Sequence, residues 1–156
     1  MMTMVVIDTS VVVALADEKD KWHARAVLLR DALLAAGLKL LYFDCVVNEA
    51  IGVIGRRTEE QQRSAQFNRL LDELLSLVPN ETITWISVDN ERLFPEILAL
   101  CRGHQGRLNF HDALMALVCR ELDIKAIVSF DKDFDAITWL KRVDTSVSVS
   151  TLLTET

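Results

Sequence analysis

Residues 4–16 read Met4-Val5-Val6-Ile7-Asp8-Thr9-Ser10-Val11-Val12-Val13-Ala14-Leu15-Ala16, and this stretch decides the fold. An apolar, β-branched run that ends on a carboxylate reads as a short buried strand, Met4 to Asp8. Thr9 or Ser10 offers a cap to a following helix. Val11 to Ala16 continues that helix in spite of its valines.

The same alternation runs outward through the chain. Lys21 to Ala36 has helical spacing, with Trp22, Ala26, Leu29, Leu33 and Leu34 on one face and Gly37 as the stop. Leu38 to Phe43 reads as a second strand. Asp44 then caps a helix that carries Glu49 among Val46, Val47, Ala50 and Ile51. Arg56 and Arg57 lie at its C-terminal end, where the helix dipole favours cations. Glu59 to Val78 reads as one long amphipathic helix, with Phe67, Leu70, Leu71, Leu74 and Leu75 apolar. Its acidic, leucine-rich character suits a dimer or partner interface.

Thr82 to Val88 reads as a third strand, and Asp89 caps a helix through Leu100. A polar loop, Arg102 to Arg107, leads to a helix over Asn109 to Leu122 that contains Asp112. Ala126 to Ser129 is a fourth strand, followed by Asp131-Lys132-Asp133-Phe134. A last strand falls between Trp139 and Val149. Short apolar strands alternating with helices predict an α/β protein of three α/β/α layers. Its central, mainly parallel sheet would have four or five strands. We expect a single domain over residues 1–150 and a C-terminal tail at 151–156.

The bulk numbers fit that picture. A chain of 156 residues, 51% hydrophobic and 26% charged, holds one domain with one core. Five Gly and two Pro leave little room for long loops. The 17 basic and 23 acidic residues give a formal charge of −6, which argues against a broad basic face for nucleic acid. Metal-assisted chemistry stays open, because acids gathered in one site account for part of that charge. The three cysteines, Cys45, Cys101 and Cys119, show no CxxC spacing. They read as core residues of a cytoplasmic protein rather than as a disulfide framework or zinc site. The apolar N-terminus lacks a basic leader region, and Asp8 interrupts it, so no signal peptide is expected. No apolar run is long enough to predict a membrane-spanning helix.

In open α/β sheets, ligands collect beyond the carboxyl ends of the strands. Asp8 ends the first strand, and Asp131 lies just past the fourth. Glu49 and Asp112 sit near the apolar faces of their helices, where an unpartnered charge is costly. Convergence of these four carboxylates calls for a divalent cation. Hard oxygen donors without a Cys/His set favour Mg²⁺ or Mn²⁺ over zinc. Such a centre suits phosphodiester hydrolysis.

The neighbouring polar groups read less sharply. Asp133 is a cap or a supporting acid. His104 reads as a solvated loop residue, and His111 as a helix-surface or substrate-contact residue. Arg56, Arg57, Arg102, Arg107 and Lys132 suit phosphate contacts or a solvated face equally well. Trp22, Trp85 and Trp139 read as core or interface.

Four segments carry a family likeness: Val6-Ile7-Asp8-Thr9-Ser10, Asn48-Glu49, Asn109-Phe110-His111-Asp112-Ala113 and Ser129-Phe130-Asp131-Lys132-Asp133-Phe134. In this order they resemble the acidic motifs of PIN domains, above all the small single-domain proteins that include the VapC toxins. The resemblance covers Met4 to about Val149. It implies a Mg²⁺- or Mn²⁺-dependent endoribonuclease in which Asp8, Glu49, Asp112 and Asp131 bind metal. Asp133 matches a less constant extra acid, and Thr9, Ser10 and Asn109 match polar positions beside the site. The resemblance also implies a homodimer silenced by a small antitoxin protein.

Two other readings of the same residues stand beside the toxin: an RNA-processing PIN nuclease without antitoxin, and a catalytically silent PIN-like binding module. An aspartate-nucleophile phosphatase is excluded by Ser10, which stands where its second Asp belongs. A receiver domain is excluded because the acid pair it needs before the first-strand loop is missing.

Overall fold

The computed structural model describes residues 2–155. Its centre is strand β1, Met4–Ile7, in which Val5 and Val6 are fully buried. Strand β2, Lys39–Phe43, pairs with it on one side. Strand β4, Ala126–Val128, pairs with it on the other. Strands β3, Ile83–Thr84, and β5, Lys141–Val143, form the edges. The order is β3-β2-β1-β4-β5, and every pairing is parallel. The three-layer α/β reading therefore holds, with five strands.

This order shapes the site. The chain moves outward from β1 through β2 to β3, then returns to place β4 on the far side of β1. The direction of winding thus reverses between β1 and β4, which is where parallel sheets open a crevice for ligands.

The helices are α1 (Thr9–Ala16), α2 (His23–Ala35), α3 (Asp44–Glu60), α4 (Phe67–Leu77), α5 (Asn90–Gly103), α6 (Phe110–Glu121) and α7 (Ser146–Thr154). Helices α2, α3 and α4 pack on α1, α7 packs on α2, and α5 packs on α6. No helix among the described residues is long and apolar enough to cross a membrane. Cys45, Cys101 and Cys119 are free thiols.

Several sequence expectations are corrected. The helix expected over 59–78 is two helices. Helix α3 ends at Glu60, Gln62 adopts a left-handed φ of 56°, and α4 begins at Phe67. Arg63 explains the break: it donates to the carboxylate of buried Asp17 at 2.8 Å, which draws the chain off the helix path. The third strand shrinks from 82–88 to two residues. Asp44 is responsible, accepting from the backbone N–H groups of Ile86 at 2.7 Å and Ser87 at 3.3 Å. Asp44 is thus a tether within the first turn of α3 rather than its cap. Leu34, expected inward, is exposed, while Ala26, Leu29 and Leu33 are buried. The tail expected at 151–156 is helical through Thr154, with Leu152 buried. Thr145 caps this helix in a reciprocal pair with Ser148.

Candidate active site

Asp8 is placed by β1. Its backbone N–H donates to Val128 O at 2.9 Å, continuing the β1–β4 pairing one residue past the strand. Its carbonyl accepts from Val11 and Val12, so Asp8 occupies the cap position of α1. Its carboxylate caps nothing. Instead Oδ2 accepts from the Ser129 hydroxyl at 2.6 Å and from Ser10 at 3.1 Å. Thr9 and Ser10, expected as caps, therefore lie within α1 and serve carboxylates. Thr9 donates to Glu49 Oε2 at 3.3 Å, joining α1 to the half-buried acid of α3.

Asp112 is the third residue of α6. It forms a capping box with Asn109: its N–H donates to Asn109 Oδ1 at 2.9 Å, and Asp112 Oδ2 accepts from Asn109 N–H at 3.2 Å. This arrangement satisfies two groups at the helix end and fixes one carboxylate oxygen. Asp131 follows β4 and accepts from the N–H of Asp133 at 2.9 Å, opening the short turn Lys132–Ala136.

The electrostatics follow from burial. Asp8 is 5% exposed, and desolvation raises its pKa although Ser129, the Thr9 backbone and Ser10 all favour its charge. Asp112, 8% exposed, is pushed up to about 7 by burial, which the Asn109 N–H offsets only in part; the charges of Asp8, Asp131 and Glu49 raise it further. Asp112 thus senses the other three acids, which arrive from the ends of β1 and β4 and from α3.

All four acids line one open pocket of about 210 Å³, with Thr9, Ser10 and Asn109 beside them. Arg57 stands on its wall, held by an ion pair to Asp20. Arg56, singled out with Arg57 in the sequence, is exposed and lies outside this pocket. Arg107 and Asp133 line a neighbouring pocket instead. Trp139, expected as core or interface, is half-buried and donates to Ala116 O at 2.8 Å.

Ser129 is the residue that sequence reasoning passed over as a site group. It is fully buried, donates to Asp8 and accepts from Asp131 N–H at 3.0 Å. The signal for it was present: Ser129 follows the strand beside β1, as Asp8 follows β1 itself.

Among the described residues, no three His, Cys, Asp or Glu side chains stand close enough to hold an ion as placed. Like charges repel, and here Asp8 is drawn onto hydroxyl donors and Asp112 onto a helix end. The donor chemistry nonetheless fits a hard divalent cation. The wall supplies carboxylate and hydroxyl oxygens and no sulfur or imidazole.

The sequence matches the PIN domain over residues 5–140. Two solved structures share the fold. The toxin VapC20 of Mycobacterium tuberculosis, described as cleaving the Sarcin-Ricin loop, is 22% identical with a TM-score of 0.65, over 86% of this chain and 95% of that one. The protein PAE2754 of Pyrobaculum aerophilum is 18% identical with a TM-score of 0.54, over 99% and 94%. Among curated proteins, none matches the sequence.

Proposed function

The chain belongs to the PIN-domain family, and from that premise we propose that it is a divalent-metal-dependent endoribonuclease. The observation that carries this reading is the pocket at the β1–β4 switch point. Four carboxylates from four separate elements line it, and one of them is raised to about 7 partly by the charges of the others.

Asp8, Glu49, Asp112 and Asp131 would hold Mg²⁺ or Mn²⁺. When bound, such an ion supplies an activated water and offsets charge developing on a phosphate. The remaining work belongs to the chain. Ser129 and Ser10 aim the Asp8 carboxylate, Thr9 aims Glu49, and Asn109 aims Asp112. Hydrogen bonds of this kind set ligand orientation and basicity. Arg57 brings a cation to the wall of a site that is otherwise negative. Val13 and Val53 give it an apolar side.

In this reading the protein acts in the cytoplasm as the toxin of a toxin–antitoxin pair. The fold shared with VapC20 supports that role. Large apolar side chains left in water, among them Trp85, Val88 and Phe94, support a homodimer or a cover of apolar chemistry.

The test is cleavage of a panel of structured and single-stranded RNAs with Mg²⁺ or Mn²⁺, repeated in excess EDTA, for wild type and Asp8→Asn. The expected result is metal-dependent cutting that the variant loses. A folded protein that neither cuts any RNA nor binds metal refutes the nuclease. Growth arrest on induction, lost in Asp8→Asn, is the expected sign of a toxin.

A further inference from the structure

Beside the carboxylate pocket lies a second one, of about 320 Å³. Its wall includes His104, Arg107 and Leu108 from the α5–α6 connection, and Lys132, Asp133 and Ala136 from the turn after β4. The two pockets are neighbours along the chain at both ends. Arg107 stands two residues before Asn109, and Lys132 immediately follows Asp131.

The cations here differ from most others in the protein. Seven of the eleven arginines are tied into ion pairs: Arg25, Arg30, Arg57, Arg63, Arg92, Arg120 and Arg142. Among the described residues, neither Arg107 nor Lys132 has an ion pair or a side-chain hydrogen bond. Both are exposed. In a chain of net charge −6, a cavity wall on which two cations without ion pairs outnumber the single carboxylate, Asp133, stands out as a local reversal of sign.

Their backbones are also held in place. Helix α5 ends in a turn in which Gly106 N–H donates to Cys101 O at 2.9 Å and Gly106 takes a φ of 78°. Leu108, next to Arg107, is buried in the core, and Asn109 is locked in the α6 cap. On the other side, buried Phe134 and the Asp131 carboxylate hold the turn that bears Lys132. Less ordering entropy is lost when an anion binds side chains presented from a fixed backbone.

We infer that this second pocket is a phosphate subsite for the RNA strand, one in which Arg107 and Lys132 grip a backbone phosphate flanking the bond held at Asp8 and Asp112. The inference rests on the nuclease reading above and extends it to the path of the substrate. The guanidinium suits a forked grip on two phosphate oxygens, and the ammonium adds a point charge. Such interactions position the strand without reading its bases.

The test is fluorescence anisotropy of a labelled single-stranded RNA across a series of KCl concentrations, with Ca²⁺ and without. It compares wild type, the double variant Arg107→Gln/Lys132→Gln, and Lys39→Gln, an exposed cation at the opposite end of the sheet. Circular dichroism checks that each variant is folded. The double variant is expected to bind on the order of ten-fold more weakly. Its salt slope should fall by roughly 0.7 for each phosphate that is no longer neutralised, while Lys39→Gln matches wild type. A folded double variant that binds like Lys39→Gln overturns the subsite and leaves the nuclease standing. Affinity that depends on Arg107 and Lys132 in a wild type that cuts no RNA supports the subsite and refutes the nuclease. A wild type that binds no RNA overturns both. If polyglutamate rather than RNA loses affinity in the double variant, the pocket takes an acidic peptide and the inference falls.

Discussion

The hydroxyl of Ser129 donates to Asp8 Oδ2 at 2.6 Å across 121 positions of sequence. The strand register brings them together: Ile7 pairs with Val128, so the next residue of each strand emerges at the same edge. The same hydroxyl accepts from Asp131 N–H. One buried group therefore sets the positions of two of the four acids.

Replacing it tests how far the acids depend on that placement. Ser129→Ala removes the strongest of the groups that favour the Asp8 charge, so the Asp8 pKa, already raised by burial, moves further up. Mn²⁺ affinity by calorimetric titration is expected to fall about ten-fold or more, the usual cost of losing a group that orients a metal ligand. Unchanged affinity in a folded variant would remove Ser129 from the site.

Asp112 makes the pH dependence specific. Its folded pKa of about 7 lies above the ordinary carboxyl value of 3.8. The folded protein therefore holds more protons than the unfolded chain between those values. The favourable contribution is complete below the lower value and lost as pH rises through the upper one. A divalent ion needs the ionised form and must displace a proton at acid pH. The rise in melting temperature on adding Mn²⁺ should thus be larger at about pH 8 than at about pH 5.5. Asp112→Asn should flatten the difference. Equal shifts at both pH values in wild type would contradict the placement of Asp112 at an ion.

The fold was legible because β1 and β4 are short apolar runs between polar boundaries, and parallel strands announce themselves that way. Asp8 was legible as a site candidate because it ends the first such run, and Asp131 because it lies just past the other. What could not be read were side chains whose partners are distant in sequence. Asp44 looks like any cap until Ile86 is seen to lie over it. Arg63 looks like a surface residue on a continuous helix until Asp17, 46 positions earlier, claims it. Arg56 and Arg57 are equivalent in sequence, and only the helix rotation and Asp20 decide which one reaches the pocket.

Asp44 gives a stability test apart from the chemistry. Its carboxylate is buried and satisfies the N–H of Ile86, whose side chain is also buried. Asp44→Ala leaves that donor without its acceptor, at a cost of about 1–3 kcal/mol. Urea unfolding should show it, and Asp44→Asn, which keeps a carbonyl acceptor, should recover part. A change below about 0.5 kcal/mol, the level of an ordinary surface substitution, would mean that water replaces the carboxylate freely.

The Arg63–Asp17 pair carries the largest expected penalty. Their side chains are 9% and 4% exposed and meet at 2.8 Å. Burial alone would raise the Asp17 pKa, yet the Arg63 hydrogen bond and charge, with the Lys19 N–H, hold it below the usual carboxylate range. Arg63→Ala strands a buried charge, for which the cost is about 3–5 kcal/mol. Because the folded pKa is lowered, the pair's contribution is present above the ordinary carboxyl value and is lost as pH falls through the lower, folded one. The deficit of Arg63→Ala in urea unfolding should therefore be full at neutral pH and shrink in acid. Asp17→Asn/Arg63→Met, which removes both charges, should cost less than Arg63→Ala alone. Arg92→Ala, which breaks exposed pairs with Asp89 and Glu121, should cost less than about 1 kcal/mol. If Arg63→Ala proved as mild as Arg92→Ala, the α3–α4 break would owe nothing to this ion pair, and the turn around Gln62 would have to be explained by packing instead.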